Sequence, residues 1–279
     1  MAITVPAAIT IGTLAAFFGY ATMIFEPILD ISRFYSQAQN SISAGERIFS
    51  LIDTEALIVD KPGAGKYGRI NGDIKFENVS FHYEEGKQVL SNLDLDIKAG
   101  TSIALVGETG GGKSTIINLI CRFYEPTGGV IKIDGTDYKE NTMQSLRSQL
   151  GVVLQTPHLF SGSMRDNISY GLDDATDMEV INALQLVGGE EFIPRLDEQV
   201  GEGGEHLSTG EKQLISFARA VLADPRIFIM DEATSSVDTL TEARIQRGIA
   251  GMMEGRTSLI IAHRLSTIKH CDRILVINR

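Results

Sequence analysis

The chain has 279 residues and a formal net charge of −11, with hydrophobic residues at 43% and charged residues at 22%. That balance supports a packed core in one large domain or two small ones, and the acidity argues against a general nucleic-acid binder, whose phosphate contacts demand a basic surface. The only cysteines, Cys121 and Cys271, stand far apart in no metal-ligand spacing and read as free thiols in a reducing compartment such as the cytosol.

Residues 2–25 carry no charge. In a helix, ~1.5 Å per residue takes this stretch across ~36 Å, enough for a hydrocarbon core of ~30 Å. A signal peptide calls for early basic residues and a shorter apolar run, and neither is present. The Ala, Gly and Thr content suits a membrane helix packed against neighbours; a buried helix of a soluble core is the alternative. Arg33, Arg47, Lys61, Lys66 and Arg69 all follow the stretch, which places its C-terminal end on the cytoplasmic side. One such helix implies partners, or further sequence.

From residue 26 to 52 the apolar residues Ile28, Ile31, Tyr35, Ala38, Ile42, Phe49 and Ile52 recur at helical spacing, with one missed beat at Gly45. The spacing predicts a helix continuing ~40 Å beyond the bilayer at ~1.5 Å per residue. Periodicity then stops at a stretch holding Pro62, Gly63, Gly65, Gly68 and Gly72, which reads as a linker. The expected division is therefore 1–52 for the membrane helix and its cytoplasmic extension, 53–71 for the linker, and 72–279 for a second domain.

In that second domain Ile74 and Phe76 alternate, as do Val79, Phe81 and Tyr83, with a slip between the two sets that predicts a bulge. Leu93, Leu95 and Ile97 alternate likewise. The later runs IALV, GVVL, IFIM and SLIIA do not alternate, as expected of parallel strands buried on both faces. Helical patterns lie between them near 114–124, 178–187, 209–222 and 239–253. The fold class expected is α/β: a mixed sheet with an antiparallel β portion at the front.

Gly107, Glu108, Thr109, Gly110, Gly111, Gly112, Lys113 and Ser114 fit G-x-x-x-x-G-K-[ST] directly after the IALV run, with Thr115 following. The glycines allow a tight loop whose backbone N–H groups face phosphates, and the helix starting at its end adds a positive dipole. Lys113 suits β/γ-phosphate charge, and the Ser114 hydroxyl suits Mg²⁺. After IFIM come Asp231 and Glu232, placed to hold the Mg²⁺ through water and to polarise the water that attacks the γ-phosphate of ATP.

These residues resemble the ATP-binding cassette proteins of the exporter type, over residues 72–279, and the resemblance extends to the whole chain. The most specific element is Leu207, Ser208, Thr209, Gly210, Glu211, Lys212 and Gln213, similar to the family signature LSGGQ. The resemblance implies a P-loop cassette with antiparallel β and α-helical subdomains, in which two cassettes clamp two ATP molecules head to tail. Ser208 and Gly210 would face the γ-phosphate bound on the opposite subunit. It further implies that Tyr83 stacks on adenine, that Gln155 touches Mg²⁺ and senses the γ-phosphate, and that Asp238 lies in the segment communicating between the two sites. His263 would contact the γ-phosphate, and residues 200–204 would make a cross-contact loop. Residues 157–168 would receive the coupling helices of the membrane domain.

Two positions depart from the pattern. Thr209 stands where the family has Gly, and Glu211 where it has Gln. Glu211 puts a negative charge near an anion, with Lys212 in partial compensation, so the half-site built on this signature is expected to be weaker and a heterodimer is a candidate assembly. Exporter half-transporters carry six membrane helices; the one here resembles the last, and the chain resembles a C-terminal fragment. The implied function is the ATP-hydrolysing motor of an exporter, paired with a second half-transporter as homodimer or heterodimer in the cell membrane, cassette on the cytoplasmic side, with no nucleic-acid partner. A soluble cassette ATPase or a non-transporting regulatory module is the alternative, and the lipid-length start weighs against the first.

Overall fold

The computed structural model describes residues 10–172, 174–231, 239–262 and 268–277. The chain divides into two units, residues 1–57 and 58–279.

Within the described residues of the first unit runs one helix, α1 (Ile11–Ile52), of 42 residues. Its N-cap is Thr10, whose hydroxyl accepts from the Thr13 N–H at 3.2 Å. None of its residues is buried, and large apolar side chains such as Phe17, Phe18, Ile24 and Phe25 are exposed. α1 is long and apolar enough to cross a membrane. The polar atom of Thr22 is satisfied within the helix, donating to the Gly19 carbonyl at 2.8 Å, as an apolar surrounding requires.

The second unit opens on residues expected as linker, and they are packed. Asp60 pairs with Arg122 at 3.0 Å and also accepts from the Met143 N–H at 2.9 Å. The Gly65 N–H donates to the Glu140 carbonyl, and the Tyr67 N–H donates to the Ser145 hydroxyl. Arg122 is almost fully buried and spends its guanidinium on Asp60, Glu125 and the Asn141 carbonyl, so Asp60 anchors the stretch by satisfying a charge that could not stay alone. Sequence periodicity could not reveal this, because the contacts are side-chain specific rather than periodic.

β1 (Ile74–His82), β2 (Gln88–Ile97), β4 (Gly128–Ile133) and β5 (Thr136–Asp137) form an antiparallel sheet of order β2-β1-β4-β5. The slip expected in β1 is present: the register shifts between Phe76 and Val79, Asn78 takes φ 51°, and Ile74, Phe76, Val79 and Phe81 are buried. Gly129 lies against that bulge so closely that a Cβ would sit 2.3 Å from the Asn78 carbonyl oxygen.

The other strands, β3 (Ser102–Gly107), β6 (Leu150–Val153), β7 (Ile227–Asp231), β8 (Thr257–Ile261) and β9 (Arg273–Ile277), form an all-parallel sheet of order β6-β7-β8-β3-β9. The non-alternating runs thus lie where both faces are covered. One core joins the antiparallel strands to β3, β8 and α2 (Lys113–Ile120) through residues such as Ile74, Phe76, Leu105, Ile116 and Ile261. The other joins the sheet to a helical layer of α4 (Met164–Ile168), α5 (Asp177–Leu186), α6 (Thr209–Leu222) and α7 (Thr239–Met253). Each fully buried Ile or Phe contributes about 1.5–3 kcal/mol to holding these layers together. The short α3 (Met143–Arg147) and α4 had no counterpart in the sequence reading, since five residues span too few turns for periodicity to register.

Candidate nucleotide site

The parallel sheet fixes the site. Leu105 of β3 pairs with Ile261 of β8, and Ile261 pairs with Asp231 of β7, so Asp231 ends its strand level with the run that leads into the phosphate loop. Gln155 lies just past β6, whose Val153 pairs with Met230. Ligands in such sheets bind at the carboxyl ends of the strands.

Gly107 ends β3 with φ 151°, and a Cβ there would meet the Ile277 carbonyl oxygen at 2.1 Å. β9 therefore enforces the first glycine from behind the loop. Gly112 caps α2 with φ 102°, and no side chain caps this helix, so its leading N–H groups are left for a ligand. Lys113 is buried, and its ammonium donates to the carbonyls of Gly107 and Glu108, both at 2.8 Å. The Gly111 N–H donates to the Glu108 carbonyl at 3.1 Å, closing the turn. The loop thus stores its positive charge at its own mouth.

A cleft of 400 Å³ opens in front of this loop and brings together Tyr83, Thr109, Gly110, Gly112, Lys113, Ser114, Thr115, Gln155 and Asp231. Tyr83, just after β1, stands edge-on to Phe81 and Tyr124, with ring centroids 4.8 and 4.9 Å away. Its hydroxyl lies 3.2 Å from the Thr115 hydroxyl and accepts from the Asn118 amide at 3.2 Å. Asn118 and Tyr124 thus support the site without having been singled out in the sequence. Of the other residues expected here, Glu232, Asp238 and His263 lie outside the described residues.

Among the described residues no cluster of three or more His, Cys, Asp or Glu could hold a metal. Among the oxygen-bearing side chains lining the cleft, Ser114, Gln155 and Asp231 supply a hydroxyl, an amide and a carboxylate. Such a set suits Mg²⁺ arriving with phosphates rather than a cation held by protein alone.

Ser208 and Gly210 do not line this cleft; they begin α6. Ser208 is the N-cap in a capping box: its hydroxyl accepts from the Glu211 N–H at 3.3 Å, and the Glu211 carboxylate accepts from the Ser208 N–H at 2.8 Å. The compensation expected from Lys212 is not what forms. Lys212 donates to the Gly203 carbonyl at 3.1 Å, tying down the glycine loop ahead of the helix, and the cation paired with Glu211 is Arg195 at 3.2 Å. Burial pushes the Glu211 carboxyl up, but the hydrogen bonds from Ser208 and the ion pair with Arg195 outweigh it and leave the group below its ordinary value.

Further along α6, Arg219 donates to the carbonyls of Asn167 and His158 at 2.7 and 3.0 Å. Its guanidinium also covers Phe160 and Tyr170, which stack at 4.2 Å. The segment expected to receive coupling helices is thereby fastened to the helix that carries the signature.

A family model described as ABC transporter matches residues 90–235, more than half of the chain. The chain belongs to the ABC transporter family. It is 48% identical over 274 residues to the uncharacterized ABC transporter ATP-binding protein YknV of Bacillus subtilis (strain 168), covering 97% of this chain and 45% of that one. Over 272 residues it is 43% identical to the ATP-dependent lipid A-core flippase of Syntrophus aciditrophicus (strain SB), covering 96% and 45%. Among solved structures, a bacterial Atm1-family ABC exporter with ATP bound superposes with a TM-score of 0.77 at 38% identity, covering 96% of this chain and 48% of that chain. This cassette and its preceding helix thus span less than half the length of these relatives. The cassette is the nucleotide-binding ATPase domain of the family, in the fold that the residues resembling it implied.

Proposed function

We propose that this chain is the motor portion of an exporter half-transporter, in which ATP binding closes two cassettes and hydrolysis reopens them. The observation that carries this reading is the cleft that gathers Lys113, Ser114, Gln155 and Asp231 before the uncapped start of α2. Lys113 neutralises charge building on the γ-phosphate, as does His263. Ser114, Gln155 and Asp231 hold Mg²⁺, which when bound offsets phosphate charge; Glu232 orients the attacking water. Positioning and electrostatics carry such chemistry, since phosphoryl transfer asks little covalent work of a protein. Tyr83 offers its ring to adenine. Asp238 lies in the segment that links the paired sites.

The Ser208 end of α6 closes on the ATP bound to a second half-transporter, identical or not. α1 spans the bilayer as part of a larger membrane domain, its cytoplasmic part carries the motion, and residues 157–168 meet coupling helices on the cytoplasmic side of the cell membrane. Of the division 1–52, 53–71 and 72–279, the first is a membrane helix with its extension and the last the cassette, while residues 58–71 of the connector pack with the cassette.

The test is ATP turnover by the full chain in detergent, with Glu232→Gln beside it. The variant should lose hydrolysis and keep ATP binding by fluorescent-nucleotide titration. Unaltered turnover in Glu232→Gln would overturn the assignment.

A further inference from the structure

Arg195 closes the short 3-10 segment Glu190–Arg195 in the helical layer, ahead of α6. Its Nε pairs with Glu198 at 2.9 Å and its Nη1 with Glu211 at 3.2 Å, and the guanidinium lies 5.9 Å from the centre of the Phe192 ring. Phe192 is fully buried, so the base of this arrangement is fixed by the core. Glu211 is consequently gripped at both oxygens, one by the Ser208 N–H and one by Arg195.

The position matters because the start of α6 has two claimants. A carboxylate in the first turn stabilises a helix by meeting its positive end, yet that same end is what would draw a phosphate. An unpaired Glu211 would cap the helix and repel the incoming anion. Paired with Arg195, which it shares with Glu198, it caps with its charge partly countered. The Lys212 ammonium donates instead to the Gly203 carbonyl, and the cation paired with Glu211 is Arg195.

We propose that Arg195 is a positioning residue for the composite nucleotide site: through Glu211 it keeps the Ser208 end of α6 capped and electrically open to a triphosphate on the opposing cassette. This rests on the motor reading above. It makes Arg195 and Glu211 a matched pair, so the glutamate is no defect while the arginine stands.

The test is a cycle in the full chain: unmodified, Arg195→Ala, Glu211→Gln, and both together, with kcat and KM for ATP measured separately. The pair is half-exposed, so the effect is bounded: Arg195→Ala should raise KM about three- to tenfold, with a smaller change in kcat. In the Glu211→Gln background the same substitution should leave KM within about twofold, the spread of independent sites. Arg195→Lys, which keeps the charge and the fold, should restore most of the loss. Equal losses from Arg195→Ala in both backgrounds, or a lysine variant as impaired as alanine, overturn the proposal and leave the motor reading intact. Absence of turnover in the unmodified chain overturns both.

Discussion

The cassette presents two helix starts to nucleotide chemistry, and they are built in opposite ways. α2 begins on a glycine at φ 102° with no side-chain cap, and its cation, Lys113, is the first helical residue. α6 begins on a serine within a full capping box, and its cation, Arg195, comes from a separate segment. The first start leaves its N–H groups uncapped and carries its own countercharge. The second spends side chains on two N–H groups, those of Ser208 and Glu211, and depends on a tertiary neighbour to balance the capping carboxylate. A phosphate loop can therefore be recognised as a string of residues, while a signature helix is competent only in context.

The comparison can be broken most severely at Lys113. Lys113→Ala should lower ATP turnover by at least about 10²-fold, the scale of losing one preorganised charge stabiliser, with circular dichroism unchanged. A chain that still turns over at half its original rate would mean that the loop's charge comes from elsewhere. Next is Gly107→Ala, whose methyl group would run into the Ile277 carbonyl of β9; we expect a loss of about 2–3 kcal/mol in denaturant unfolding as the strand pair yields. In stability terms Ser208→Ala removes a cap and should cost about 1 kcal/mol, detectable as a lowered unfolding midpoint, apart from the hydroxyl's proposed part in the composite nucleotide site.

The acid response sharpens the contrast further. Glu211 has its carboxyl held below the ordinary value of 4.5, so its contribution is fully present above pH 4.5 and is lost as pH falls through the depressed value. The unfolding midpoint of the unmodified chain should drop in that acid window by more than that of Glu211→Gln, and the two should run parallel between pH 6 and 8. Smallest of all, Thr209→Gly should change KM for ATP by no more than about twofold, because Thr209 is the first helical residue and the cap belongs to its neighbours. A large gain in affinity on that change would restore the view that this signature is intrinsically weak.

Much of this molecule was legible in its residues because the forces that shaped those parts are local. The β1 slip could be read from Phe76 and Val79, since a pleat exposes every second side chain and a bulge shifts that count. The parallel strands could be read from runs such as IFIM, since burial on both faces removes alternation. The phosphate loop could be read as a string, because a tight turn of N–H groups needs glycines in a row. Residues 58–71 were misleading for the converse reason: their Gly and Pro content signals turns, but whether turns float or pack depends on Asp60 finding Arg122 across the fold.

The residues themselves determined the α/β class, the phosphate loop and a helix long enough for a bilayer, all products of backbone conformation and hydrophobic period. Only the tertiary structure decided which cation answers Glu211, which strand forbids a side chain at Gly107, and which groups steady Tyr83. Those outcomes turn on distances of 3 Å or so between residues far apart in the chain, and hydrogen bonds and ion pairs fade too steeply with separation for sequence order to foretell them.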